Sequence, residues 1–92
     1  MKRKGPDIHQ VRVFQCLSGA QQWQTADEIA AAAAVPTRTA RLPLERLVDL
    51  GLVDQDLEFH AHRYRLSSFA GKRNQTYLKL IQAAASTLPA AN

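Results

Sequence analysis

Ile8, Val11, Val13, Phe14 and Leu17 form a broad apolar stripe at close to helical spacing. They predict a first helix, from an Asp7 N-cap to about Ser18, ended by Gly19. A polar linker, Ala20 to Gln24, follows and carries Trp23. Next come Thr25, Ala26, Asp27 and Glu28. In a capping box the Thr25 hydroxyl takes the Glu28 amide, and the Glu28 carboxylate takes the Thr25 amide. A second helix is therefore expected over Ala26 to about Ala33. The alanines at 30–34 favour helix and let another backbone come close.

Val35 and Pro36 interrupt, and a third helix is expected from about Thr37 to Leu50, closed by Gly51. With Ala40 at the centre of its buried face, Leu44, Leu47 and Val48 fall beside it. Arg38, Leu42, Glu45 and Asp49 fall opposite, flanked by Arg41 and Arg46. Pro43 lies within this segment. It has no amide for the Thr39 carbonyl and disfavours helical angles at Leu42, so a kink near Leu42 or a loosened first turn is expected. It leaves Thr37 to Arg41 set at an angle to Leu44–Leu50, or it weakens binding.

After Gly51 the period changes to two. Val53, Gln55, Leu57, Phe59 and Ala61 alternate with polar residues, as do Tyr64 and Leu66 with Arg63 and Arg65. That predicts a β-hairpin turning between Asp56 and Ala61. Ser67 to Gly71 is a break. A last helix is expected from about Lys72 to Thr87, with Tyr77, Leu80, Ile81, Ala84 and Leu88 on one face and Pro89 stopping it.

Ninety-two residues, 46% hydrophobic and 22% charged, suit one small domain without room for a separate catalytic or ligand-binding domain. The net charge of +4 and pI near 9.7 favour an anionic partner. Basic residues gather at Lys2, Arg3 and Lys4 and at Arg63, Arg65, Lys72 and Arg73. The one cysteine, Cys16, excludes an internal disulfide and points to a reducing cytoplasm. No apolar run suits a signal peptide or a membrane span. No nucleophile triad, phosphate loop or paired carboxylates suggest an enzyme. His60 and His62 lie near Asp56 and Glu58, but two histidines on a basic hairpin more often meet phosphate or solvent, so no metal and no cofactor are expected. Cys16 is expected to be a buried or interface thiol, and Trp23 to pack on the helices.

The stretch from Thr25 to Val53 resembles the helix-turn-helix core of bacterial transcription regulators of the MarR, ArsR and IclR type. The matching positions are the capping box, the short turn, and Arg38, Thr39, Leu44, Leu47, Gly51, Leu52 and Val53. With the flanking segments the resemblance covers about residues 11–66. It implies a mainly α fold with a small β-hairpin: a winged helix-turn-helix over 7–68, with a basic arm over 1–6 and an extra C-terminal helix over 72–88. The third helix would then enter a major groove. Thr37, Arg38, Thr39, Arg41, Leu42 and Arg46 are the candidate DNA contacts on it. The hairpin would be the wing, contacting DNA through His62, Arg63 and Arg65, with His60 near its tip. Its acidic first strand, with Asp54, Asp56 and Glu58, is expected to face away.

The resemblance implies a C-terminal helix that pairs with its two-fold mate or with the first helix. Tyr77, Leu80, Ile81, Ala84 and Leu88 are the candidate dimerisation residues, although that helix can instead fold back on its own domain. The expected function is a dimeric, sequence-specific repressor of double-stranded DNA, cytoplasmic and nucleoid-associated, without membrane or small-molecule effector. The alternatives are a winged-helix protein–protein module and a plasmid or phage replication or partition protein.

Overall fold

In the computed structural model, which describes residues 6–58 and 61–87, the chain begins with α1 (Ile8–Ala20). Asp7 caps it, its Oδ1 accepting the Gln10 amide at 2.9 Å. The helix runs past the expected stop at Gly19, where a side chain would meet nothing. It ends instead at Gln21, whose left-handed backbone (φ 51°) sends its amide to the Leu17 carbonyl.

The linker after α1 is not all loop. Gln24–Thr25 form a short strand, β1, and lead directly into α2 (Ala26–Ala33). The capping box is complete: Thr25 Oγ1 accepts the Glu28 amide at 3.2 Å, and Glu28 Oε1 accepts the Thr25 amide at 2.8 Å. Ala34 turns the chain in the left-handed region (φ 60°), and Val35 N reaches back to the Ala30 carbonyl at 3.0 Å. This is the Schellman closure that usually employs glycine.

Helix α3 (Thr37–Asp49) follows after Val35 and Pro36. Its closure at Gly51 (φ 86°) is as expected, with Gly51 N on the Val48 carbonyl and Leu52 N on the Leu47 carbonyl, both at 3.0 Å. Strands β2 (Val53–Glu58) and β3 (Ala61–Leu66) then form the hairpin, in a register running from Val53↔Leu66 to Glu58↔Ala61. β3 also pairs with β1, so the sheet is three-stranded and antiparallel in the order β1-β3-β2. A two-residue strand is too short for alternation to reveal.

The final helix divides in two, α4 (Ala70–Arg73) and α5 (Gln75–Thr87). Asn74 breaks it, because its backbone is extended (φ −157°, ψ 72°) and its Oδ1 accepts the Tyr77 amide as the cap of α5. The core lies between α1, α2 and α3, and is closed by Leu52, Val53 and Tyr64 from the sheet side and by Ile81 from α5. Ala30 and Ala40 are both buried where α2 and α3 pack, which their small side chains permit.

Helix α5 runs alongside α1. Tyr77 donates its hydroxyl to Gln10 Oε1, and the Gln15 amide donates to the Ala85 carbonyl at 2.9 Å. The candidate dimerisation residues are thereby divided between the protomer's own core and its surface. Ile81, at 0% exposure, belongs to the protomer's own core, and Tyr77 and Ala84 are half-buried against it. Leu80, at 46%, is the exposed one. Leu88 lies outside the described residues.

Candidate nucleic-acid interface

The outer side of α3 presents Arg38, Arg41, Leu42, Glu45, Arg46 and Asp49 to solvent, while Ala40, Pro43, Leu44 and Leu47 are buried. Pro43 sits three residues from Ala40 and four from Leu47, hence on the packed face. Its ring adds apolar surface to the interior at the cost of one helical amide. The first turn is closed rather than loosened, with the amides of Thr39 and Ala40 both on the Pro36 carbonyl, at 2.9 and 3.1 Å. Helical structure continues unbroken to Asp49.

No side chain caps the start of α3. The positive end of the helix dipole lies there, which suits an anion. The Thr37 hydroxyl is engaged elsewhere: it donates to Asp27 Oδ1 at 2.8 Å and fastens the first turn of α3 to that of α2. Thr39 is half-buried. Arg38 and Arg41 are thus the exposed cations at the leading end. Arg46 lies in the last turn, and its charge opposes the rise that burial, and secondarily Asp7, impose on the Tyr77 phenol. Leu42, 56% exposed, is an apolar residue amid these charges.

Between α3 and the hairpin lies a cleft of about 390 Å³. Arg41 and Glu45 line one wall, Gln55 and His62 the other, with Thr25 and Asp27 at the start of α2. Gln55 Nε2 and His62 Nδ1 are 2.6 Å apart. A donated amide proton there leaves His62 Nε2 as the ring's other polar atom.

Arg63 and Arg65 are on the opposite face of β3 from His62. In the antiparallel register Arg65 stands opposite Asp54, and Arg63 opposite Asp56. Directly opposed residues share a face, so the acidic residues of β2 do not turn away from the basic residues of β3 but accompany them. Arg65 lies 4.4 Å from the centre of the Trp23 ring, and its Nη2 is 3.9 Å from Asp54 Oδ2. Asp54 also holds Arg73, at 3.2 Å. Trp23 thus receives an arginine from the sheet, where packing on the helices was expected. His60 lies outside the described residues.

Cys16 lines an apolar groove of about 490 Å³ with Phe14, Ala32 and Ala85, and burial pushes its thiol pKa upward. Asp27, Gln55 and Glu45 line the cleft without having been marked as contacts. The capping box was the available signal for Asp27, since it places that residue in the exposed first turn of α2.

No family model and no curated protein matches the sequence. Solved structures do match in shape. A MarR-family transcriptional regulator from Silicibacter pomeroyi superposes with TM-score 0.64 at 18% identity, over 85% of this chain and 53% of the other. BpsR of Bordetella bronchiseptica, whose DNA binding is regulated by 6-hydroxynicotinic acid, superposes with TM-score 0.61 at 16% identity, over 90% and 64%. The fold is a winged helix-turn-helix. Human N-acetylserotonin methyltransferase contains a similar part, with TM-score 0.58 at 20% identity over 70% of this chain and 18% of the enzyme. A winged helix therefore does not by itself define an activity. This winged helix spans about half the length of the Silicibacter regulator, at 53%. In it α2 and α3 are the helix-turn-helix pair, β2–β3 is the wing, and α5 is the additional C-terminal helix.

Proposed function

We infer that this protein is a transcription regulator that binds double-stranded DNA, reads sequence with the outer side of α3, and represses as a homodimer by occupying its operator. The observation that carries the reading is the exposed pair Arg38 and Arg41 at the leading end of α3, with Arg41 lining a cleft walled by the wing. A helix of this size fits the major groove, and an arginine forks to guanine there. The uncapped start of α3 favours phosphate. His62 approaches the same groove from the wing. Arg63 and Arg65, on the other face, support the wing more than they reach DNA. The regulators of similar shape support the choice of DNA as partner.

Among the described residues of α5, Leu80 is the exposed large apolar one, available for a two-fold mate, and pairing would double the half-site. The protein works in the cytoplasm, at the nucleoid, with no metal, cofactor or small-molecule effector in this reading. A second reading, a protein–protein module, draws on Leu42, Glu45 and Asp49 on the same outer side.

Selection of bound sequences from a random duplex pool tests the inference. The expected result is a two-fold symmetric motif with half-sites about one helical turn apart. A pool that shows no enrichment would favour the protein module.

A further inference from the structure

The turn between α4 and α5 grips the junction between α3 and the wing through three contacts. Asn74 Nδ2 donates to the Leu50 carbonyl at 3.2 Å. That carbonyl stands at the end of α3, where helical bonding leaves acceptors open. Through Oδ1 the same side chain caps α5, so Asn74 closes one helix and opens another. Arg73 lies over Gly51, where an added Cβ would stand 2.9 Å from Arg73 Cβ. Its guanidinium then reaches past Gly51 to Asp54 of β2, at 3.2 Å. Asp54 in turn faces Arg65 of β3. The segment from Leu50 to Asp54 is the covalent link between α3 and the wing, and residues 73–74 hold it at both ends.

We propose that Arg73 and Asn74 are positioning residues for DNA binding, fixing the angle between α3 and the wing so that both engage one duplex. The inference rests on the DNA-binding reading above. Neither residue touches DNA in this account. Arg73 is exposed, so its truncation spares the core while it loosens the hold of α4 on β2 and removes the guanidinium from the Phe69 ring.

Two duplexes carrying the selected sequence provide the test, one extending beneath the wing and one ending at the footprint of α3. The wild type is expected to bind the longer more tightly. Arg73→Ala is expected to lose about tenfold on the longer duplex, with affinity and salt dependence on the shorter one unchanged. Arg73→Lys, which keeps a cation for Asp54, restores most of the loss. Asn74→Ala repeats the pattern, and Arg73→Ala decides the matter where Asn74→Ala fails to fold. Equal loss on both duplexes means a direct phosphate contact or general destabilisation and overturns the proposal, as does no loss on either. A wild type that binds neither duplex overturns the DNA reading and this inference together.

Discussion

The Thr37 hydroxyl donates to Asp27 Oδ1 at 2.8 Å, joining the first turns of the two helices of the helix-turn-helix. The bond occupies a carboxylate that would otherwise stand unpartnered beside the leading end of α3, where a phosphate is expected. Thr37→Val keeps the shape and removes the donor. It should lower stability by about 0.5–1 kcal/mol in urea denaturation, since the pair is exposed. It should also weaken DNA binding, because Asp27 is released toward the phosphates. Tighter binding by Thr37→Val would show that the hydroxyl is not a restraint on Asp27.

Among the described residues three closures use left-handed backbone, at Gln21, Ala34 and Gly51, and they differ in residue type. Ala34 holds φ 60° with a Cβ, at a cost of about 1 kcal/mol relative to glycine. Ala34→Gly should therefore stabilise the protein by up to about 1 kcal/mol in thermal or urea denaturation. Gly51→Ala should do the reverse by more, because φ 86° is strained and Arg73 occupies the space of the new methyl. Equal effects at the two sites would contradict the crowding at Gly51.

Much of this was legible beforehand, and for local reasons. The capping box, Gly51 and the leucines of α3 act within a turn or two of chain, so pattern alone locates them. The outer residues of α3 followed from the same geometry. What pattern could not show depends on contacts distant in sequence. β1 exists because β3 lies beside it. Arg65 is engaged because register puts Asp54 opposite and Trp23 next to it. The residues of α5 could not be divided by pattern, because an apolar helical stripe looks the same whether it packs on another chain or on α1. Pro43 looked disruptive because its apolar contribution to the buried face is a tertiary effect.

That stripe yields a direct test. Ile81 is fully buried and Leu80 is 46% exposed. Ile81→Glu should abolish folding, since it buries a charge without a partner. Leu80→Glu should keep the circular dichroism spectrum and sediment as a monomer where the wild type sediments as a dimer. A Leu80→Glu protein that remains dimeric would move the interface elsewhere.

Burial raises the pKa of both the Cys16 thiol and the Tyr77 phenol. The folded state therefore favours their neutral forms. The stability they contribute is present at neutral pH and is lost as pH rises through the usual thiol and then phenol ranges. Urea midpoints should fall between pH 8 and about pH 10, and Cys16→Ala with Tyr77→Phe should lessen the fall. A flat profile would contradict the burial of both groups.

The central claim concerns α3 and DNA, and the most direct measurement is affinity for the selected duplex as a function of salt. The account predicts that log K falls linearly with log salt, by about 0.9 per phosphate neutralised. It also predicts that Arg38→Ala and Arg41→Ala each weaken binding, at least one of them by about 1–3 kcal/mol. No detectable binding at low salt, or affinity unchanged in both variants, would contradict it.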